Sequence, residues 1–174
     1  MRKLMILTAM ALMPVAMQAQ NEENVENESK KYEAMVEAAK YAEQEANVVK
    51  FADFVLSSWV KEKEEVKMAA ILEIMNWAKG TPAYTFGLYD ELSVYKEIGL
   101  FGVYLAGMVR YCILNKDNDS ANMQEAAIES MIAYYTRFSS EKWNGKDKKK
   151  IRGFIAKRDA GTLRPYIEQV TKKE

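Results

Sequence analysis

Five aromatic side chains, Trp77, Tyr84, Phe86, Tyr89 and Tyr95, flank the segment between Gly80 and Gly87, and Tyr104, Arg110 and Tyr111 follow on an apolar stretch. An aromatic loop beside an arginine is the make-up of a pocket for an anionic or ring-bearing ligand, because ring faces attract cations and a guanidinium pairs with anions. On this reading the candidate ligand-binding residues are Trp77, Tyr84, Tyr89, Arg110 and Tyr111. Core packing is the competing reading, since aromatics at helical spacing serve as core and Arg110 has Asp90 and Glu91 within reach as partners. On either reading Arg110, which ends the uncharged run IGLFGVYLAGMV, is expected partly buried, its guanidinium held by Asp90, Glu91 or a ligand.

Catalysis has less to work with. The 174 residues contain no histidine and one cysteine, Cys112. Ser-His-Asp and Cys-His nucleophile systems, His-ligated zinc and thiolate metal sites therefore have no ligands or bases to use. Cys112, with no partner for a disulfide, reads as a small buried hydrophobe. Carboxylates are plentiful, so an acid and base pair of the glycosidase kind is possible on residue type alone. Glu33, Glu37, Glu43, Glu62 and Glu65, however, fall on polar helix faces where solvation accounts for them. No phosphate-binding loop, dinucleotide fingerprint or nucleophile elbow is present. The stretch KDNDS at 116–120 resembles a calcium loop at its start, but counting from Asp117 puts Asn122 and Ile128 where glycine and glutamate are required. We expect no enzyme activity, no metal and no cofactor.

Charge is balanced overall, with 25 basic and 25 acidic side chains, and unevenly placed along the chain. Residues 20–97 carry 9 basic and 16 acidic groups, residues 142–174 carry 11 and 4. Lys146, Lys148, Lys149, Lys150, Arg152, Lys157 and Arg158 make up a basic tail. A solvated face explains them first, and a weak contact with an anionic surface through Lys148, Lys149 and Lys150 second. Nucleic acid is not expected, because readers of nucleic acid carry a strongly basic domain.

The elements that must position these residues are helical. Arg2 and Lys3 precede twelve mostly apolar residues, Leu4 to Val15, and a small residue at Ala19, the layout of a secretory signal peptide over residues 1–19. Twelve residues fall short of a membrane span. The mature chain is expected to be soluble, in a periplasm or outside the cell. Residues 20–29 hold one apolar side chain in ten and read as a disordered leader, and 30–174 as the folded domain. From Lys30 to Lys79 there is neither Gly nor Pro. Tyr32, Met35, Val36, Ala39, Ala42, Ala46 and Val49 form a stripe at helical spacing, with Asn47 as the expected interruption. A charged turn at 61–65 precedes a helix over 66–78, which Gly80, in the left-handed conformation, and Pro82 end. A short helix is expected from Tyr89 to Lys96, then a buried central helix over 98–109 in which Gly99, Gly102 and Ala106 admit close neighbours. Asp119 or Ser120 caps the next helix, which buries Ile128, Met131, Ile132, Tyr135 and Phe138. Two last helices, split by Gly161, carry Ile151, Phe154 and Ile155, then Leu163, Tyr166, Ile167 and Val170. No alternating strand pattern occurs, so the fold class is all-α, a single irregular bundle of five to seven helices.

The stretches AAILEIMNWAKGTPAYTFG at 69–87 and IGLFGVYLAGMVRYCILN at 98–115, with the leader ending Ala19-Gln20, are similar to small exported helical proteins of unknown function from Bacteroidota. The resemblance implies an all-helical exported protein and brings no catalytic residue. The leading functional expectation is a protein-interaction or binding module of the cell envelope, whose partner is another envelope protein. A small-ligand pocket and a carboxylate-based hydrolase follow in that order.

Overall fold

The computed structural model describes residues 13–92 and 98–172. Six helices occur among them: α1 (Met13–Ser57), α2 (Glu64–Gly80), α3 (Ile98–Asn115), α4 (Ser120–Arg137), α5 (Gly145–Asp159) and α6 (Leu163–Thr171). No strand occurs among the described residues, and the architecture is the all-α irregular bundle that composition and periodicity indicate. None of the described helices is long and apolar enough to cross a membrane. Residues 1–12 of the expected signal peptide, and 93–97 of the helix expected from Tyr89, lie outside the described residues; Asp90 to Leu92 form a turn.

The chain divides into two compact units, one ending at Lys40 and one beginning at Tyr41. In the first, α1 includes residues 20–29, which the sequence reading leaves without structure. Tyr32, Met35 and Val36 are exposed there, at 70%, 63% and 52%. The expected stripe does not hold in the second unit either. Ala42 and Ala46 face solvent, while Val48, Ala52 and Val55 are buried and Tyr41 and Glu45 half-buried, a line rotated from the predicted one. The rotation has a polar cause: Glu45 accepts hydrogen bonds from Lys116 and Tyr84, and the Tyr41 carbonyl accepts one from Trp77 Nε1 at 3.0 Å. Alanine offers too little apolar surface to outweigh those bonds. Asn47 does not interrupt the helix, which runs unbroken to Ser57.

The second unit is organised around α3. Leu100, Val103, Tyr104, Leu105, Ala106, Met108, Val109, Cys112 and Ile113 are all buried, as a helix without a polar face requires. Its glycines set the packing distances. A Cβ on Gly102 would stand 2.3 Å from Ile71 Cδ1 of α2, and one on Gly107 would stand 2.6 Å from Ser130 Cβ and 3.2 Å from the Ala127 backbone of α4. Gly80, the last residue of α2, is not left-handed as expected; a Cβ there would collide with the Tyr41 ring. The left-handed glycine is Gly161, at φ 69°, between α5 and α6.

Helix α4 starts at the predicted cap, where Asp119 Oδ1 accepts from the Asn122 amide at 2.8 Å. It buries Ile128, Met131, Ile132 and Tyr135, with Phe138 half-buried. Ile151 and Phe154 of α5, and Leu163, Ile167 and Val170 of α6, complete the core.

Candidate functional site

The segment 81–92 has no helix or strand, and side chains from neighbouring elements fix it. The Thr85 amide donates to Asn118 Oδ1 at 2.9 Å, and Gln124 Nε2 donates to the Gly87 carbonyl at 2.7 Å. Gln124 is fully buried on α4 and also accepts from the Tyr104 hydroxyl, so one amide joins α3, α4 and the segment. Tyr84 donates to Glu45 at 3.4 Å, and Tyr89 shares a hydrogen bond with Ser120 at 3.1 Å. With its backbone pinned, the segment turns Tyr84, Thr85, Phe86 and Leu88 toward the space beside α2 and α3.

A half-open groove of about 380 Å³ results, floored by Met75 and Ala78 of α2 and Phe101 and Leu105 of α3, and walled by Tyr84, Phe86 and Leu88. Lys79, Thr81 and Thr85 put polar groups at its rim. Its size lies within the range of ligand clefts, about 300 to 1,000 Å³. Leu88 is 52% exposed beside it, and Leu72, 47% exposed, lies on α2 one turn before Met75. Trp77, Tyr84 and Phe86 pack as a tilted trio with ring centres 5.9 to 6.4 Å apart, Trp77 backing the wall that the other two supply.

Of the residues singled out from the sequence, Trp77 and Tyr84 are brought together, both buried, and Tyr84 lines the groove. Tyr89 is buried on its bond to Ser120. Tyr111 is half-buried and donates to Asp117 Oδ2 at 2.8 Å, which raises its pKa above the usual tyrosine value. Arg110 turns the other way. Its Nε donates to Asp53 Oδ1 of α1 at 2.7 Å, with the two side chains 44% and 55% exposed. The expected partners Asp90 and Glu91 are therefore replaced by Asp53. The reason is helical phase: the charge that ends the apolar run of α3 falls on the side facing α1. Cys112 is buried, donates to the Val109 carbonyl at 3.1 Å, and burial pushes its thiol up to about 12. Tyr95 lies outside the described residues.

A second cluster escaped the sequence reading. Lys67 of α2 is 1% exposed, and its ammonium donates to the carbonyl of Ser58, to Ser58 Oγ at 2.9 Å and to the carbonyl of Trp59 at 2.7 Å. The Tyr134 hydroxyl donates to the same Ser58 carbonyl at 2.8 Å. Carbonyls past the end of α1, which have no partner within the helix, are thus satisfied by side chains of α2 and α4. Burial lowers the Lys67 pKa to about 8, with nearby Glu62 opposing. Trp59 stacks on Tyr134 at 5.9 Å and meets Trp143 at 5.1 Å. A cavity of about 340 Å³ lies alongside, lined by Val60, Lys61, Glu64, Lys67, Met68, Ile71 and Gly99. The available signal was Lys67 itself, in phase with Ala70, Ile71, Ile74 and Trp77 on the apolar face of α2.

No group of three or more carboxylates or thiols placed to hold a metal ion occurs among the described residues. The molecule is thus a helical bundle with an ordered aromatic segment and an open apolar groove beside it. No protein-family model matches the chain, and no curated protein and no solved structure matches it significantly.

Proposed function

We propose that this chain is an exported binding module of the cell envelope, whose groove between α2, α3 and the 81–92 segment receives an apolar segment of a partner protein. The observation that carries the reading is the groove itself: an apolar floor held open by a segment whose backbone is pinned from α4 and from the connection between α3 and α4. A preformed concavity needs little ordering on binding, so more of the contact energy appears as affinity. Exposed Leu88 at the mouth and Leu72 on the adjoining turn of α2 extend the apolar surface beyond the groove, which suits a peptide better than a small enclosed ligand. The charged leader and its apolar run support export.

A thermal-shift screen with apolar tetrapeptides, simple sugars and medium-chain fatty acids tests the proposal. Stabilisation by peptides, lost in Leu88→Asp and kept in Leu114→Asp, is the expected result; Leu114 is 54% exposed and is not part of the groove. Stabilisation by fatty acids alone would establish a small-ligand site instead. No shift with any class would overturn the proposal.

A further inference from the structure

The basic tail separates into two kinds of cation once folded. Arg158 pairs with Asp159 and Glu129, and Arg164 is held by Glu125 and Glu168. Lys146, Lys149 and Lys157 have no ion pair among the described residues, and they converge with Lys150 on one cleft of about 390 Å³. Lys148, which the sequence reading grouped with its neighbours, does not line it. Buried Phe154 and half-buried Tyr166 supply apolar wall, Gly153 leaves an open backbone, and Glu91 is the one carboxylate in the lining among the described residues.

Two of the lysines make contacts within the chain. Lys157 Nζ rests over the Tyr166 ring at 4.5 Å, and Lys150 Nζ donates to the Asp90 carbonyl at 2.7 Å. Burial lowers the Lys150 pKa although Asp90, Asp147 and Glu91 all act to raise it.

We propose that this cleft, independently of the apolar groove, is a binding site for a phosphate monoester whose organic part lies against Phe154 and Tyr166. A single carboxylate would engage one or two of these ammonium groups. A dianionic phosphate presents three terminal oxygens, and lysines serve it as point charges without fixed geometry. The lysine stems and the two rings are suited to the alkyl or sugar body of the ester rather than to a bare anion.

The same chemistry is offered by a soluble sugar phosphate and by the headgroup of phosphatidic acid. Calorimetric titration of the protein at fixed ionic strength with glucose 6-phosphate, with glucose and with inorganic phosphate comes first, beside sedimentation with phosphatidylcholine vesicles containing either phosphatidic acid or phosphatidylserine. The expected result is saturable one-to-one binding of a phosphate monoester from at least one source. Glucose 6-phosphate should bind at least tenfold tighter than inorganic phosphate, or phosphatidic acid vesicles should bind in a way that glycerol 1-phosphate competes away. The first outcome identifies a soluble ligand and the second a lipid headgroup. Lys146→Gln/Lys149→Gln/Lys157→Gln should weaken the interaction at least tenfold, with circular dichroism melts showing that the variant is folded. Absence of saturable binding, an unchanged affinity in the triple variant, or equal sedimentation with both vesicle types without competition would overturn the proposal.

Discussion

Lys67 offers a perturbation whose sign and size follow from its surroundings. In the folded chain its pKa is about 8, against 10.5 for the unperturbed side chain, chiefly because burial disfavours the charged form. Below pH 8 both folded and unfolded chains carry the proton, so the burial cost is present in full and does not vary. Between about 8 and 10.5 the unfolded chain binds more protons than the folded one, and stability contributed at this site must rise with pH. A shift of that size corresponds to about 3 kcal/mol at roughly 1.4 kcal/mol per unit. Water reaching the cavity beside Lys67 screens part of it, and we expect about 1 to 2 kcal/mol. Lys67→Met removes the titration together with the bonds to Ser58 and Trp59. Hydrogen bonds from a charged donor are worth about 1.5 to 3 kcal/mol each, while removing the buried charge returns part of that sum, so the variant should lose about 2 kcal/mol at pH 7. The assay is urea unfolding of both proteins from pH 7 to 10.5, taken as a difference so that tyrosine titrations common to both cancel. The gap should widen with pH by about 1 to 2 kcal/mol. A gap that stays constant or narrows would refute the reasoning.

Further expectations concern packing and the pinned segment. Gly107→Ala should destabilise by about 1 to 3 kcal/mol in chemical denaturation, because the added carbon meets Ser130 and the α4 backbone. Gly153→Ala, on the open side of α5 with nothing within 4 Å, should stabilise by about 0.5 to 1 kcal/mol in the same assay. Arg110→Met breaks a surface pair with Asp53 and should change stability by no more than about 1 kcal/mol; a larger loss would mean that the pair is not the solvent-screened one seen here. Gln124→Met keeps the volume but removes the bonds that Gln124 makes with Tyr104 and the Gly87 carbonyl, at about 2 to 3 kcal/mol, and hydrogen exchange should quicken in residues 84–89.

The parts of this fold legible from sequence are those governed by period and by local chemistry. The uncharged run of α3 announced a buried central helix, and the Asp119 cap announced the start of α4, because each signal sits within a few residues. Long-range pairing left weaker traces. The partner of Arg110 is 57 residues away on α1, and nothing in the neighbourhood of Arg110 ranks Asp53 above Asp90. The core line of α1 followed Glu45 and Tyr41 rather than the alanines, since the polar bonds that decide it come from residues on other elements. Lys67 stood in the apolar phase of α2 and was legible as an anomaly, but its acceptors at the end of α1 were not. The groove was half visible: the aromatic segment marked its wall, while its floor needed the close approach of α2 and α3 at Gly102.

The central claim, that the groove between α2, α3 and the 81–92 segment is the binding surface, is tested most directly by a ¹H–¹⁵N correlation titration of the labelled protein with an apolar tetrapeptide. Saturable shifts concentrated at Met75, Ala78, Thr85, Phe86, Leu88, Phe101 and Leu105 are the predicted result. Shifts centred instead on the exposed Tyr32, Met35 and Val36 of the first unit, or no saturable shift, would contradict it.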